Sequence, residues 1–206
     1  RMAGVARTDW SWSALFADFD NDGAKDIFIS NGYPKAVNDL DYYAAAFGAR
    51  RRGNNRRALQ LLAELPGYNV SNYVFRNNGD LTFTNETKAW GMEQPGYSYG
   101  AAYADLDNDG RLDLVANNID APASIYENVQ AADEAHHYLG VVLAGENPNP
   151  RAVGARVVLT AGGQKQYLYN SPYRGYMSSM DGRAHFGLGP TKRVDTPEVY
   201  SPVGRY

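Results

Sequence analysis

Apolar residues in this chain come in short runs broken by polar clusters, the texture of strands joined by tight connections. Ala14-Leu15-Phe16-Ala17 and Asp26-Ile27-Phe28-Ile29 flank one acidic stretch, and Leu112 to Ala116 follows a second. Each run predicts a buried strand. Asn38 to Phe47 and Asn55 to Leu65 have helical texture instead, with Asn at each N-cap position and Pro66-Gly67 closing the second. Tyr73 to Phe83 reads as two short β-runs about Asn78-Gly79, a hairpin signal, and Ile125-Tyr126-Glu127-Asn128 echoes it. From Tyr138 onward the β-runs lengthen: Tyr138 to Ala144, Ala155 to Ala161 and Gln166 to Tyr169, punctuated by glycine and proline. The change in texture predicts a boundary near residues 130–137, separating a repeat region, 1–130, from a small β domain, 138–206.

Ser13 to Asn31 aligns with Gly100 to Asn118, so that Ala17-Asp18-Phe19-Asp20-Asn21-Asp22-Gly23 meets Ala104-Asp105-Leu106-Asp107-Asn108-Asp109-Gly110 and Asp26 meets Asp113. The offset is 87 residues, and Tyr33 to Val70 reads as a 38-residue insertion that leaves about 49, close to one propeller blade.

In each acidic loop carboxylates stand at positions 1, 3, 5 and 9, and Gly at position 6 allows the turn that aims alternate side chains at one centre. Four clustered carboxylates repel one another unless a hard cation sits among them. The spacing therefore predicts two Ca²⁺ sites: Asp18, Asp20, Asp22 and Asp26 with the carbonyl of Ala24, and Asp105, Asp107, Asp109 and Asp113 with the carbonyl of Arg111. Mg²⁺ fits less well because it keeps its waters. An EF-hand would need Glu at position 12 and flanking helices, whereas position 12 is Ile29 and Ala116 between strands.

Composition narrows the class. The chain has 206 residues, is 44% hydrophobic and lacks cysteine, which removes disulfides and thiolate chemistry, and no run approaches a membrane span. A soluble globular chain is expected. The net charge of −3 is uneven, because eight of the 23 acids lie in the two loops. Extracellular calcium modules have Kd of about 10⁻⁴ to 10⁻³ M, so roughly 1 mM Ca²⁺ would stabilise each loop by about 0.4 to 1.4 kcal/mol. Sites that weak predict a secreted, periplasmic or cell-surface home, with any signal peptide lying outside this sequence.

At these residues the chain resembles a known family. Asp18 to Asp26, Asp105 to Asp113 and the Asn-Gly hairpin resemble FG-GAP/VCBS repeats, while Val153-Gly154-Ala155-Arg156-Val157, Arg174-Gly175-Tyr176, His185-Phe186-Gly187-Leu188-Gly189 and the tail from Val194 to Gly204 resemble the ASPIC/UnbV domain. The combination is similar to large bacterial surface or secreted VCBS-repeat proteins and their animal counterparts. The resemblance implies a mainly all-β fold: partial β-propeller blades with a short helical insertion at about 33–70, then a small all-β domain. It implies the same Asp ligands and no catalytic residues. Two blades cannot close a propeller, so a piece of a longer protein is expected.

The function expected from this is a Ca²⁺-stabilised binding or adhesion module with an extracellular protein or glycan as partner. A glycan-degrading enzyme, lyase or hydrolase, is the alternative that paired carboxylates raise. Arg50-Arg51-Arg52 with Arg56-Arg57 raises a nucleic-acid patch, against the plainer reading of a solvated face. His136-His137 is a poor zinc pair, because neighbours on a strand point to opposite faces, and Ser178, Ser179, Asp181 and His185 lack the nucleophile elbow of a hydrolase. Tyr97, Tyr99, Tyr173 and Tyr176 are the candidate sugar-facing aromatics.

Overall fold

A computed structural model describes residues 2–131, 135–201 and 204–205. Strand β1 (Ser11–Ala17) turns through the first acidic loop into β2 (Asp26–Asn31), pairing Ala17 with Asp26 and Leu15 with Phe28. Alternation along β1 sends Ser13, Leu15 and Ala17 inward and leaves Phe16 exposed, whereas nearly all of β2 is buried because a strand pairs on each of its sides.

The insertion forms helices α1 (Leu40–Arg51) and α2 (Asn55–Glu64). Both start one residue from the expected cap. Asp39, not Asn38, accepts the Tyr42 N–H at 2.9 Å, and Asn54 rather than Asn55 accepts the Arg57 N–H at 2.9 Å. Helix α1 also runs past Phe47 to Arg51, since Gly48 and Ala49 do not break it.

After the helices come β3 (Val70–Ser71), β4 (Tyr73–Asn77) and β5 (Phe83–Asn85), which complete a sheet ordered β1-β2-β4-β5, with β3 pairing instead to β6 (Pro95–Gly96). The β4–β5 connection is wider than a two-residue turn: Asn78 N donates to Thr82 O at 3.0 Å, and Gly79 and Leu81 both take positive φ. A second sheet repeats the first with β7 (Ser98–Ala104), β8 (Asp113–Asn118) and β9 (Ser124–Tyr126). Its register copies the first at the 87-residue offset. Ser11 pairs with Asn31 and Ser98 with Asn118, and each strand carries an irregularity over the next three residues.

The C-terminal region holds β10 (His137–Val141), β11 (Arg156–Ala161), β12 (Gln164–Tyr169), β13 (Ala184–Gly189), β14 (Val194–Ser201) and β15 (Gly204–Arg205), arranged as a β10–β13 pair and a sheet ordered β12-β11-β14-β15. The boundary expected near 130–137 includes residues 132–134, which lie outside the described residues.

Two cores follow. Leu15, Phe28, Val74, Leu112, Leu114 and Met180 fill the space between the repeat sheets; Val157, Leu159, Leu168 and Phe186 fill the C-terminal one. Each such side chain contributes about 1.5–3 kcal/mol by leaving water. Between the repeat sheets runs a buried polar seam: Ser30 Oγ donates to Tyr99 O at 2.5 Å, Asn31 N to Asn72 Oδ1 at 3.0 Å, and Asn72 Nδ2 to Ser98 Oγ at 3.0 Å. These bonds fix how the two sheets meet, because slipping either would strand buried polar groups. The fold is mainly β, as expected.

Candidate metal centre

Each acidic loop must reverse the chain between two strands within nine residues. Position 4 (Asn21, φ 58°; Asn108, φ 62°) and position 6 (Gly23, φ 96°; Gly110, φ 86°) adopt left-handed backbone, which Asn and Gly tolerate best. With the reversal so made, Asp18, Asp20 and Asp22 bring carboxylate oxygens within 4.8 Å of one another, and Asp105, Asp107 and Asp109 do the same.

The two loops share one hydrogen-bond plan. Asp18 Oδ1 accepts from Asp22 N at 3.1 Å and Oδ2 from Gly23 N at 2.9 Å; Asp105 accepts from Asp109 N at 3.0 Å and Gly110 N at 3.1 Å. Asp22 accepts from Ala24 N at 2.7 Å, and Asp109 from Arg111 N at 2.9 Å. The position-9 residues stand outside the tight trios. Asp26 takes the Phe19 N–H at 3.0 Å and the Asn77 N–H at 2.9 Å, and Asp113 takes the Leu106 N–H at 3.0 Å and the Asn128 N–H at 2.8 Å. Each ties the loop to the third strand of its sheet while keeping lone pairs for an ion.

Asn77 and Asn128 were missed from sequence. Asn77 Nδ2 donates to Lys25 O at 3.0 Å and Asn128 Nδ2 to Leu112 O at 3.3 Å, the same bond one repeat apart. The recurring Asn just after Phe75-Arg76 and Tyr126-Glu127 was the available signal.

Burial makes the first loop costly without a cation. Asp18 is 4% exposed, and burial, with the charges of Asp22, Asp26 and Asp20 added, pushes its carboxyl up to about 8. Burial raises Asp26 to about 7 although the Asn77 and Phe19 amides pull the other way, and it raises Asp20 as well. An all-oxygen donor set of this charge suits a hard divalent cation, and Ca²⁺ tolerates its irregular geometry better than Mg²⁺ does. The second loop is more open, and the Arg111 guanidinium pairs with Asp109 there.

The C-terminal region covers both loops. Asn21, 2% exposed, donates through Nδ2 to Gly110 O of the other loop at 3.0 Å, and its Oδ1 receives the His185 Nε2–H at 2.6 Å. Gly189 N donates to Asn21 O at 2.8 Å, while Arg183 donates to Asn108 Oδ1 and Asp105 O, both at 2.8 Å. Strand β13 lies so close that a Cβ on Gly187 would sit 2.0 Å from Asp18 Oδ2 and 2.6 Å from the Asn21 Cα. His185 is held neutral, its pKa lowered to about 4 by burial, and it stacks on Tyr138 at 5.7 Å.

The remaining candidates have other partners. Ser178 Oγ donates to Tyr176 O and Asp181 pairs with Arg183, so with His185 on Asn21 no relay joins them. At the opposite end of β1, Tyr99 and Tyr176 join a half-buried ring cluster, Trp12 lying 4.3 Å from Tyr99 and 4.8 Å from Tyr176, and Trp10 stacking on Tyr33 at 4.5 Å. Tyr97 borders Gly67, and Tyr173 stands 76% exposed away from the cluster. The tryptophans were not among the expected aromatics, since only the fold brings Trp10 and Trp12 to tyrosines so distant in the chain. A cavity of about 590 Å³ opens between the repeat sheets, floored by Phe28, Val74 and Leu114, with Asp20 and Glu127 its only carboxylates among the described lining residues.

Comparison with known proteins agrees with this architecture. Residues 39–116 match the FG-GAP-like repeat family, and residues 145–206 match ASPIC and UnbV. The first acidic loop lies outside the matched segments. Among curated proteins the chain is similar to human cartilage acidic protein 1, 36% identical over 28% of this chain and 9% of that protein, and to the mouse protein, 33% identical over 31% and 10%. The aligned stretch thus spans about a tenth of the length of these relatives.

Proposed function

We propose that this chain, which carries an FG-GAP-like repeat segment and an ASPIC and UnbV domain, is a Ca²⁺-stapled, non-catalytic part of a larger extracellular repeat protein. The observation that carries the reading is the pair of loops with one hydrogen-bond plan, each gathering three carboxylates at positions 1, 3 and 5. Asp18, Asp20, Asp22 and the carbonyl of Ala24 would hold the first ion and Asp105, Asp107, Asp109 and the carbonyl of Arg111 the second, with Asp26 and Asp113 at position 9 completing each site from just outside the trio. The ion would supply charge neutralisation and rigidity. Both matched segments are of non-enzymatic kinds, and of the two carboxylates at the cavity, Asp20 is taken up by the first acidic loop. Among the described residues no helix is long and apolar enough to cross a membrane.

In this reading the repeat sheets, 1–130, form propeller blades and 138–206 a small β domain packed on them, while the aromatic cluster around Trp12 and Tyr99 offers a face for a glycan or protein partner, because ring faces bind sugar and apolar surface alike. Thermal unfolding in EDTA, 1 mM Ca²⁺ and 1 mM Mg²⁺ tests the metal assignment. A rise in Tm of a few degrees is expected with Ca²⁺ only, absent in the Asp20→Ala/Asp107→Ala variant; a wild type indifferent to Ca²⁺ would overturn it.

A further inference from the structure

Residues 42–63 hold five arginines and no acidic residue. The α1–α2 hairpin gathers them at its tip: Arg50 and Arg51 in the last turn of α1, Arg52 at its C-cap, and Arg56 and Arg57 in the first turns of α2, all exposed. Helix stability accounts for the first three, since cations suit a helix C-terminus. Arg56 and Arg57 oppose it. They sit at the positive end of α2, whose first turn has no acid, and the Glu64 carboxylate 2.9 Å from Arg57 is the counter-charge the hairpin supplies to that pair. Such a tip is built to meet an anion from outside.

The hairpin also exposes an apolar stripe. Leu40, Tyr43 and Phe47 lie at helical spacing on one face of α1, 81%, 54% and 64% exposed, and Leu59 on α2 is 65% exposed. Arg50 and Arg51 continue that face, and the Arg51 guanidinium lies 5.7 Å from the Phe47 ring centroid. The helices pack chiefly on each other, and the hairpin is rooted where Lys35 Nζ donates to Ala63 O at 2.8 Å and Leu65 O at 3.1 Å. A polyanion alone would satisfy the arginines and leave the stripe in water. A lipid surface of negative charge satisfies both.

We propose that the α1–α2 hairpin docks on an anionic phospholipid surface, its guanidiniums on headgroup phosphates and Leu40, Tyr43 and Phe47 at the acyl boundary. The test is co-sedimentation of the full chain with phosphatidylcholine vesicles, with or without about 30% phosphatidylserine, in EDTA and in Ca²⁺. Binding at least about tenfold stronger to the anionic vesicles is expected in both buffers, lost in Arg51→Glu/Arg56→Glu and reduced several-fold in Phe47→Ser, with Tm little changed in either variant, because the acid gained at the start of α2 offsets the cation lost at the end of α1 and Phe47 is exposed. No vesicle binding, or binding only in Ca²⁺, would overturn the proposal. So would Phe47→Ser binding as well as wild type while heparin or RNA competes, which would make the tip a polyanion site instead.

Discussion

Asp18 is a carboxyl whose folded environment favours the proton: about 8 against an ordinary 3.8. Between those values the metal-free folded chain holds that proton more tightly than the unfolded chain does, so this group's stabilisation is complete near pH 4 and is lost as pH rises toward 8. Ca²⁺ binding needs the carboxylate and expels the proton, so the Ca²⁺-induced gain in Tm should be larger at pH 8 than at pH 5. Asp18→Asn should shrink that difference in the same melts, leaving the share carried by Asp26, raised to about 7, and by Asp20. His185 works in the opposite direction, its lowered pKa withdrawing stability as pH falls from about 6.5 toward 4. Asn128 makes a second residue-scale test. Its Nδ2 reaches Phe19 O of the first loop at 2.7 Å as well as Leu112 O, so Asn128→Ala should cost about 1–2 kcal/mol in chemical denaturation and weaken Ca²⁺ binding by about tenfold in calorimetry.

At the scale of elements, the sequence was most informative where the determinants are local. Carboxylate spacing and the glycine at position 6 specify the loops within nine residues, and the apolar flanks specify β1, β2 and β8. Caps shifted by one because Asp39 and Asn38, or Asn54 and Asn55, are chemically near-equivalent until the backbone chooses. The Asn78-Gly79 turn widened because Thr82 returns a backbone bond to Asn78 and a side-chain bond to the Asn78 amide at 3.0 Å. The pairing of β11 with β14, and the approach of β13 to the loops, join residues far apart in the chain, and no local pattern encodes them. Gly187 could be read only as a strand glycine. In the structure it is the point where β13 meets Asp18, so Gly187→Ala should destabilise by about 1–3 kcal/mol and lower Ca²⁺ affinity, whereas Gly96→Ala, whose Cβ would meet nothing within 4 Å, should cost less and leave Ca²⁺ affinity unchanged.

For the whole molecule, the loops are the hub on which three sheets converge. Arg183 holds the second loop, His185 and Gly189 hold Asn21 of the first, and Arg174 Nη1 donates to Tyr103 OH at 2.7 Å on the flank. Ordering the loops with metal should therefore order the seat of the C-terminal region. Hydrogen exchange of the β10 and β13 amides is expected to slow several-fold in Ca²⁺, and Arg183→Ala should remove much of that protection while leaving the repeat core folded.

The two copies of the loop have meanwhile ceased to be equivalent. Asn21 and Asn108 are the same residue at the same position, yet the first is buried against the other loop and β13 while the second faces outward to one arginine. One residue type at one loop position thus has an inner and an outer role, set by what packs against it. Replacing Asn21 would therefore part the two loops from each other, whereas the same change at Asn108 would only release Arg183.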